Sequence, residues 1–309
     1  MAKWLDGFLY RRQAIQNRKQ NELYREQHPD CILPDDYVLY ETYQLNYQKF
    51  IEDGALAAAE ITAWTKSYNN TPQPRILDWG CGAARITRHL PAFQPMALIY
   101  GCDVNEDMIE WNKVHYHNIS FTTIHHFAPT PYADSFFDMV YGFSVFTHID
   151  AVQQTEWIKE LQRIINHNGV LMITTQGNYY FHQLLPGEKK VLTQQGVFTK
   201  SYPKQGHRMM STYHKAEHFR IMILPYFEVL EYYDGNLNLT KAGGQDVWRL
   251  VKENRRLCEE ERRSSLSYKW QEAENAWPQI ASSFLLASTF IHLFNSFSSI
   301  SKHPAHLLL

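Results

Sequence analysis

The spacing of apolar and polar residues divides the chain into three parts. Residues 1–72 have the spacing of helices, with an aromatic cluster at 37–50 and a break at 67–72. From residue 75 onward, short apolar runs alternate with amphipathic ones, which is typical of βαβ units and a mostly parallel sheet. The predicted strands are 75–79, 97–102, 119–124, 137–143, 170–175, 227–232 and 245–251. The predicted fold class is therefore α/β.

The helix before the fifth of these strands has clear end signals. Asp150 is a predicted N-cap with Gln153 at the third helical position, and Gly169 is predicted to end the helix. A further helix is predicted over 214–224. These signals place the ends of the elements as well as their type.

The predicted domains follow from these changes of pattern. Residues 1–72 form a helical lid, 73–252 the sheet domain, and 253–309 a helical or disordered appendage. Within the sheet domain, 178–213 is too long for an ordinary connection, and we call it the cap. The stretch 280–300 is interrupted by polar residues, so a membrane contact there is disfavoured, although it stays open.

Composition excludes several classes of protein. Hydrophobic residues make up 44% and charged residues 20% of the 309 positions, as in globular proteins. The net charge of −2 disfavours nucleic acid as a partner. Four cysteines without CxxC spacing predict neither disulfides nor zinc, and an N-terminus without a secretory signal favours a cytoplasmic location. The histidine pairs 115/117 and 125/126 lack a third ligand, so no metal is predicted, and the oligomeric state stays open.

A ligand site is predicted where the first two strands end. The segment 78–82, Asp-Trp-Gly-Cys-Gly, runs from a strand into a Gly-x-Gly turn, and Asp103 ends the next strand. Glycines allow close backbone approach, and a carboxylate at that position accepts hydrogen bonds from ribose hydroxyls. A dinucleotide fingerprint needs glycine or alanine where Arg85 stands, and Asp78 suits the amino group of S-adenosylmethionine better than a phosphate.

On these motifs the chain resembles the class I S-adenosylmethionine-dependent methyltransferases over most of residues 37–252. The matching segments are 78–82, 103, 130–140, 144–149 and 168–170. The resemblance implies a Rossmann-like sheet of seven strands with a reversed final hairpin. It also implies S-adenosylmethionine as cofactor and methyl transfer to a small molecule or sugar, with oxygen as the first choice of acceptor atom.

The predicted cofactor residues surround the strand ends. They are Asp78, Trp79, Gly80, Cys81, Gly82, Asp103, Val104, Asn105, Phe127, Phe143 and Ser144. Similar chains often carry an acidic residue for adenine where this one reads His125-His126-Phe127, so backbone amides and the Phe127 ring would take that contact.

The predicted acceptor residues come from the lid, the cap and the final strand. They are Tyr37, Tyr43, Gln176, Tyr213 and Gln245. Further walls of the acceptor pocket are expected from Tyr179, Tyr180, Phe181, His182, Tyr202 and His207 of the cap. Tyr37 and Tyr43 either cover the sulfonium or pack a core. Similar chains often have histidine where this one has Gln176.

His148 and His214 are the candidate general bases, because an ordinary histidine has a pKa of ~6.5. The alternative for His148 is a structural imidazole that orients its loop, and the alternative for His214 is ordinary capping or strand-edge hydrogen bonding. Two other functions stay open for the whole chain. One is a noncatalytic cofactor-binding partner protein, and the other is an NAD(P)-linked oxidoreductase.

Overall fold

The computed structural model describes residues 2–68, 71–200, 210–237, 240 and 242–252 of the chain. The strands, in chain order, are β1 (Arg75–Trp79), β2 (Leu98–Asp103), β3 (Ser120–Thr123), β4 (Phe137–Gly142), β5 (Ile165–Thr175), β6 (Val197–Lys200), β7 (Ser211–His214), β8 (Glu228–Tyr233) and β9 (Asp246–Val251). The helices are α1 (Ala2–Gln27), α2 (Asp36–Thr42), α3 (Tyr47–Tyr68), α4 (Leu90–Phe93), α5 (Glu106–His115), α6 (Ala151–Ile164), α7 (Pro186–Gln195) and α8 (Ala216–Ile223). Short 3-10 helices lie at Thr87–His89, Phe146–His148, Asn178–Gln183 and Gly235–Leu237.

The main sheet has seven strands in the order β3-β2-β1-β4-β5-β9-β8. The pairs from β3 to β5 are parallel, with Leu77 of β1 opposite both Tyr100 and Val140. Strand β9 lies antiparallel between β5 and β8, with Ile173 opposite Trp248. The predicted α/β class, with a seven-stranded, mostly parallel sheet and a reversed final hairpin, is confirmed. Strands β6 and β7 of the cap form a separate antiparallel pair.

Successive strand residues point to opposite faces, and each face is covered by helices. On one face, Ile76 packs in a cluster with Ile61 of α3 and Ile109 of α5. On the other, Leu77 packs with Leu161 of α6 and Phe219 of α8. The sheet is thus the middle of three layers, and its carboxyl ends stay accessible to the loops that form the site.

The end of α6 differs from the prediction. The Asp150 side chain caps the helix as predicted, accepting the backbone N–H of Val152 at 2.8 Å. The helix ends at Ile164, however, and β5 begins at Ile165, so Gly169 lies inside the strand. The reason is tertiary pairing: Ile165 already pairs with Phe137 of β4, which draws the chain into the sheet before the predicted stop.

The start of the predicted helix 214–224 also differs. His214 is the last residue of β7, where it pairs with Val197, and α8 begins at Ala216. Strand β7 is too short to show a period in the sequence, so its partner β6 decides its conformation.

The N-terminal helices pack over the turn that follows β1. Leu39, Tyr40 and Phe50 form a buried cluster with Ala83 of that turn. A second contact joins α3 to β9, the strand next to the edge of the sheet, because the buried Arg249 of β9 contacts Glu60 of α3 at 3.2 Å. The helices therefore reach both the site and the last strand.

Other expectations concern parts of the chain beyond the described ranges. These are the appendage 253–309 with its stretch 280–300, the cap residues Tyr202 and His207, and Cys258. None of the described helices has the length and apolar character needed to cross a membrane. Across the described residues, no three His, Cys, Asp or Glu side chains group in a way that could hold a metal.

Candidate functional site

The turn after β1 is held against the end of β2 by backbone hydrogen bonds. The N–H groups of Gly80 and Cys81 both donate to the carbonyl of Cys102, at 2.8 and 3.0 Å. Gly80 and Gly82 have φ of +78° and +50°, which glycine adopts without strain. A Cβ on Gly80 would lie 2.5 Å from the Val145 side chain, so this turn also needs the missing side chain for space.

Asp103 is tied to the same turn. Its carboxylate accepts the N–H of Gly82 at 2.8 Å through one oxygen and the N–H of Asn105 at 2.9 Å through the other. Burial raises the pKa of Asp103, and these amides oppose that rise. A carboxylate offers about four lone-pair sites, so two remain for hydroxyl donors. Asp103 can therefore hold a diol without giving up its contacts to the turn.

Asn112 of α5 also contacts the turn, although no sequence motif predicts it as a site residue. It is fully buried, and its side-chain amide donates to the carbonyl of Gly82 at 2.7 Å. The only sequence signal is a polar residue among the buried positions of α5, next to Met108 and Ile109. Asn112 fixes the Gly-x-Gly turn from beneath.

Asp78 lies at the end of β1 and is buried, with 4% of its surface exposed. The Thr87 hydroxyl donates to its carboxylate. Burial raises the pKa of Asp78 to about 7, while Arg85 and the Thr87 hydrogen bond oppose the rise. A cationic ligand group nearby would favour the ionised form, whereas a phosphate would not.

Trp79 and Cys81 contribute backbone rather than side chain to this turn. The Trp79 ring is buried against Phe146 and Trp157, with ring centres 5.3 and 5.1 Å apart. The Cys81 thiol is buried, and burial raises its pKa well above the ordinary value. Because both side chains are buried, only the backbone groups of Trp79 and Cys81 are placed to contact a ligand.

The remaining predicted cofactor residues differ in what their side chains do. The Asn105 side chain caps α5 by accepting the N–H of Met108 at 3.2 Å. Val104 and Phe143 are half-buried and pack against the two core clusters. Phe127 is 61% exposed on the loop after β3, so its ring can stack on a flat group.

Ser144, Thr174 and Gln245 form a closed ring of hydrogen bonds at the end of β4. The Ser144 N–H donates to the Thr174 hydroxyl oxygen at 2.8 Å, and that hydroxyl donates to the Gln245 amide oxygen at 2.6 Å. The Gln245 amide nitrogen donates to the Ser144 hydroxyl at 2.6 Å. The ring holds Ser144 at φ +63°, which fixes the start of the loop that carries His148.

His148 ends the 3-10 turn after β4 and is half-buried. Its Nδ1 lies 2.8 Å from the carbonyl oxygen of Met210, which precedes β7. Because a carbonyl only accepts, Nδ1 must carry the proton, and in the neutral ring Nε2 is the basic nitrogen.

His214 is 1% exposed, and burial lowers its pKa to about 3. Its Nε2 lies 2.8 Å from the amide oxygen of Gln154. This environment keeps the ring neutral and away from solvent, which suits the structural alternative and not a general base.

The other predicted acceptor residues lie around the cap. Tyr213 is buried against Leu184 and Leu192. The Gln176 backbone carbonyl accepts the N–H of His214 at 2.9 Å, and its side-chain Oε1 is buried with no hydrogen-bond partner in the described parts of the chain. Tyr180 donates to the Gly243 carbonyl, which ties the start of the cap to the loop before β9. The Gln176 side chain therefore offers an unused hydrogen-bond acceptor on the side of the site next to the cap.

Two tyrosines of the N-terminal helices are engaged within those helices. Tyr43 donates to Asp53 at 2.7 Å, and the Arg85 guanidinium lies 4.3 Å from the centre of its ring. Tyr37 donates to the buried Asp6 at 3.0 Å. The cation on Tyr43 in this structure is therefore Arg85, which supports the packing alternative for these side chains.

Comparison with known proteins assigns the strand ends to a family. Residues 77–173 match the family described as methyltransferase domain. This segment is a methyltransferase domain. It spans the sheet from β1 to β5 and includes the Gly-x-Gly turn, Asp103 and His148.

A malonyl-[acyl-carrier protein] O-methyltransferase of Legionella pneumophila subsp. pneumophila is 31% identical to the chain over 112 residues. The match covers 36% of the chain and 39% of that relative, so the chain spans about two fifths of the relative's length.

Solved structures share the Rossmann-like fold of the methyltransferase domain. A chain from the Haloferax volcanii complex of the Trm112 methyltransferase activator with a methyltransferase is 13% identical, with a TM-score of 0.50, over 72% of this chain and 96% of that one. Magnesium protoporphyrin IX methyltransferase of Synechocystis PCC 6803, solved with bound SAH (S-adenosylhomocysteine), is 18% identical, with a TM-score of 0.46, over 77% of this chain and 96% of that one.

Proposed function

We propose that the chain is an S-adenosylmethionine-dependent methyltransferase that methylates a hydroxyl oxygen of a small molecule or sugar. The observation that supports the cofactor assignment most directly is a hydrogen bond within the methyltransferase domain. The Gly82 N–H of the Gly-x-Gly turn donates to the Asp103 carboxylate at 2.8 Å. Bound there, the cofactor would supply an activated methyl group on a sulfonium.

The residues at the strand ends fit the parts of this cofactor. Asp103 keeps two lone-pair sites for the ribose hydroxyls, and the exposed Phe127 ring is available for the adenine. The buried Asp78 carboxylate, whose pKa is raised to about 7, would be ionised by an ammonium group at hydrogen-bonding range or through a water. Gly80 and Gly82 leave the backbone open to close approach.

The proposal that the acceptor atom is oxygen rests on two side chains. His148 holds its proton on Nδ1 against the Met210 carbonyl, so Nε2 is the nitrogen able to take the proton of a hydroxyl as the new carbon–oxygen bond forms. The buried Oε1 of Gln176 can accept a hydrogen bond from a donor on the acceptor molecule. Both features suit a hydroxyl-bearing acceptor.

A carboxylate acceptor is the second candidate. The Legionella relative is named for methyl transfer to malonyl-[acyl-carrier protein]. Over residues 186–200, the cap carries Lys189, Lys190 and Lys200 against the single acidic residue Glu188, which favours an anionic acceptor. A carboxylate has no proton to remove, so this candidate would not need His148 as a base.

Two experiments test the proposal. Calorimetric titration with SAH and with NAD should give binding of SAH alone. Binding of NAD instead would favour the oxidoreductase. Incubation with methyl-labelled S-adenosylmethionine and fractionated metabolite extracts should then label a hydroxyl-bearing compound. Binding of SAH with no labelled product from any fraction would favour the noncatalytic partner protein.

A cytoplasmic location goes with this proposal, since Cys31, Cys81 and Cys102 are free thiols.

A further inference from the structure

The loop that carries His148 is hydrogen-bonded at two points to the cap segment 210–212, which is the start of β7 and the residue before it. The His148 ring bonds to the carbonyl of Met210 at 2.8 Å. One residue later in the loop, the carbonyl of Ile149 accepts the Thr212 hydroxyl at 2.9 Å. The ring and the backbone beside it are therefore both fixed by the same segment of the cap, 210–212.

Gln154 of α6 connects the loop and β7 from the core. It is fully buried, and its amide nitrogen donates to the carbonyls of Phe146 and Ile149, each at 3.1 Å. Both amide protons are used on carbonyls, so its Oε1 must accept from His214, 2.8 Å away. This assigns the proton of His214 to Nε2.

The two histidines thus hold opposite tautomers. His214 carries its proton on Nε2, and its buried Nδ1 has no hydrogen-bond partner in the described parts of the chain. His148 carries its proton on Nδ1. Which nitrogen of a neutral imidazole holds the proton is set by the partner of the other nitrogen. For His148 that partner is Met210, the residue before β7, and not a residue of the loop itself.

We propose that the cap segment 210–212 sets the reactive tautomer of His148, with Thr212 and Gln154 as positioning residues. The Met210 carbonyl keeps the proton on Nδ1, while Thr212 and Gln154 hold the Ile149 carbonyl so that the ring stays within reach of Met210. The acceptor hydroxyl then gives its proton to Nε2, and the resulting imidazolium keeps its Nδ1–H bond to Met210. The role in catalysis rests on the proposed function, whereas the tautomer does not.

The direct test is nitrogen NMR of the full chain labelled with ¹⁵N-histidine, at about pH 9, where an ordinary imidazole is neutral. The His148 signal is identified by its loss in His148→Asn. We expect a protonated Nδ1 and an unprotonated Nε2 for His148. A neutral His148 with its proton on Nε2 would overturn the proposal, whatever the enzyme methylates.

Thr212→Val tests whether Thr212 helps to set the tautomer, because valine has the shape of threonine with a methyl group in place of the hydroxyl. We expect a mixture of His148 tautomers and a kcat lower by about tenfold, with the KM for the acceptor nearly unchanged. Thr199→Val is the matched control. Thr199 lies opposite Thr212 in β6, with its hydroxyl 3.1 Å from that of Thr212. Since the Thr212 proton goes to Ile149, the control leaves that bond in place and should change neither readout.

The outcomes separate the two proposals. If Thr212→Val leaves the His148 tautomer as in the parent protein, Thr212 does not hold the ring against Met210, and the inference is wrong. If the tautomer changes but methyl transfer to a hydroxyl is never observed, the proposed function fails while the structural assignment holds. Gln154→Glu is a second variant for the case in which Thr212→Val folds poorly. It keeps the shape but loses the amide donor to Phe146 and Ile149, and it should give the same NMR change.

Discussion

The carboxylate of Asp103 accepts the backbone N–H of Gly82 at 2.8 Å, across the gap between the ends of β2 and β1. One side chain therefore both shapes the Gly-x-Gly turn and offers acceptor sites to a ligand. Its replacement should affect binding twice, through lost ligand contacts and through a loosened turn.

We expect Asp103→Ala to weaken SAH binding by ~1–3 kcal/mol, through loss of charge-assisted hydrogen bonds. Isothermal titration measures this directly. Asp107→Ala, an exposed carboxylate in the first turn of α5, is the control and should bind SAH as the parent does. Equal affinity of the Asp103 variant and the control would remove the ribose assignment.

Gly82→Val should weaken binding more than Asp103→Ala does. Valine is strained at φ +50°, and a Cβ at this position would lie 3.2 Å from the Thr42 side chain of α2. The comparison is made by calorimetry on variants whose circular dichroism matches the parent. A folded Gly82→Val protein with undiminished SAH affinity would contradict close backbone approach at this turn.

Asp78 should make the free protein less stable as the pH rises. Burial raises its pKa from 3.8 to about 7, so between about pH 4 and pH 7 the unfolded chain releases a proton that the folded chain keeps. Its contribution to the free energy of unfolding therefore falls across that window and is constant above it.

Urea denaturation at pH 5 and pH 8 measures this effect of Asp78. Relative to the parent, Asp78→Asn should lose less stability between the two pH values, whereas the exposed control Asp107→Asn should follow the parent. If Asp78→Asn shows the same pH dependence as the parent, Asp78 is ionised in the free protein throughout.

His148→Asn should separate the role of His148 in removing a proton from its role in holding the loop against Met210. The asparagine amide can still donate to the Met210 carbonyl, but it cannot take a proton. We expect turnover on a hydroxyl acceptor to fall ~10²–10⁴-fold with nearly unchanged SAH affinity. Turnover on this acceptor close to that of the parent would show that solvent or another residue removes the proton, and His148 would then be a structural residue.

Gln245→Leu should destabilise the fold by ~1–3 kcal/mol, because it leaves the buried hydroxyl of Thr174 and the half-buried hydroxyl of Ser144 without their amide partner. The change is measured as a shift of the urea midpoint. Gln245→Glu keeps the acceptor for Thr174 but loses the donor to Ser144, so its effect should be intermediate. A Leu variant as stable as the parent would show that the ring contributes little.

The sequence predicted the sheet and the strand ends well, because those signals are local. The strands of the main sheet are apolar runs bounded by turn residues, and Asp150 caps α6 through its own helix. The Gly-x-Gly turn and Asp103 are recognisable because close approach and ribose binding each require a particular residue type.

The sequence could not predict what tertiary contacts decide. Strand β7 forms because β6 lies beside it, and Gly169 lies in β5 because Ile165 already pairs with β4. His214 is an ordinary histidine in the sequence, and only its burial lowers its pKa. Gln154 did leave a trace: it occupies a position on the apolar face of α6 shared with Trp157, Ile158 and Leu161.

The order of the last two strands affects how the chain can assemble during synthesis. Strand β8 is made before β9, yet it joins the sheet only through β9, which inserts between β5 and β8. Until residues 246–251 emerge from the ribosome, β5 therefore presents an open edge and β8 has no partner in the main sheet. A nascent chain stalled before this point would carry an aggregation-prone edge, and chaperone protection would matter most in that interval.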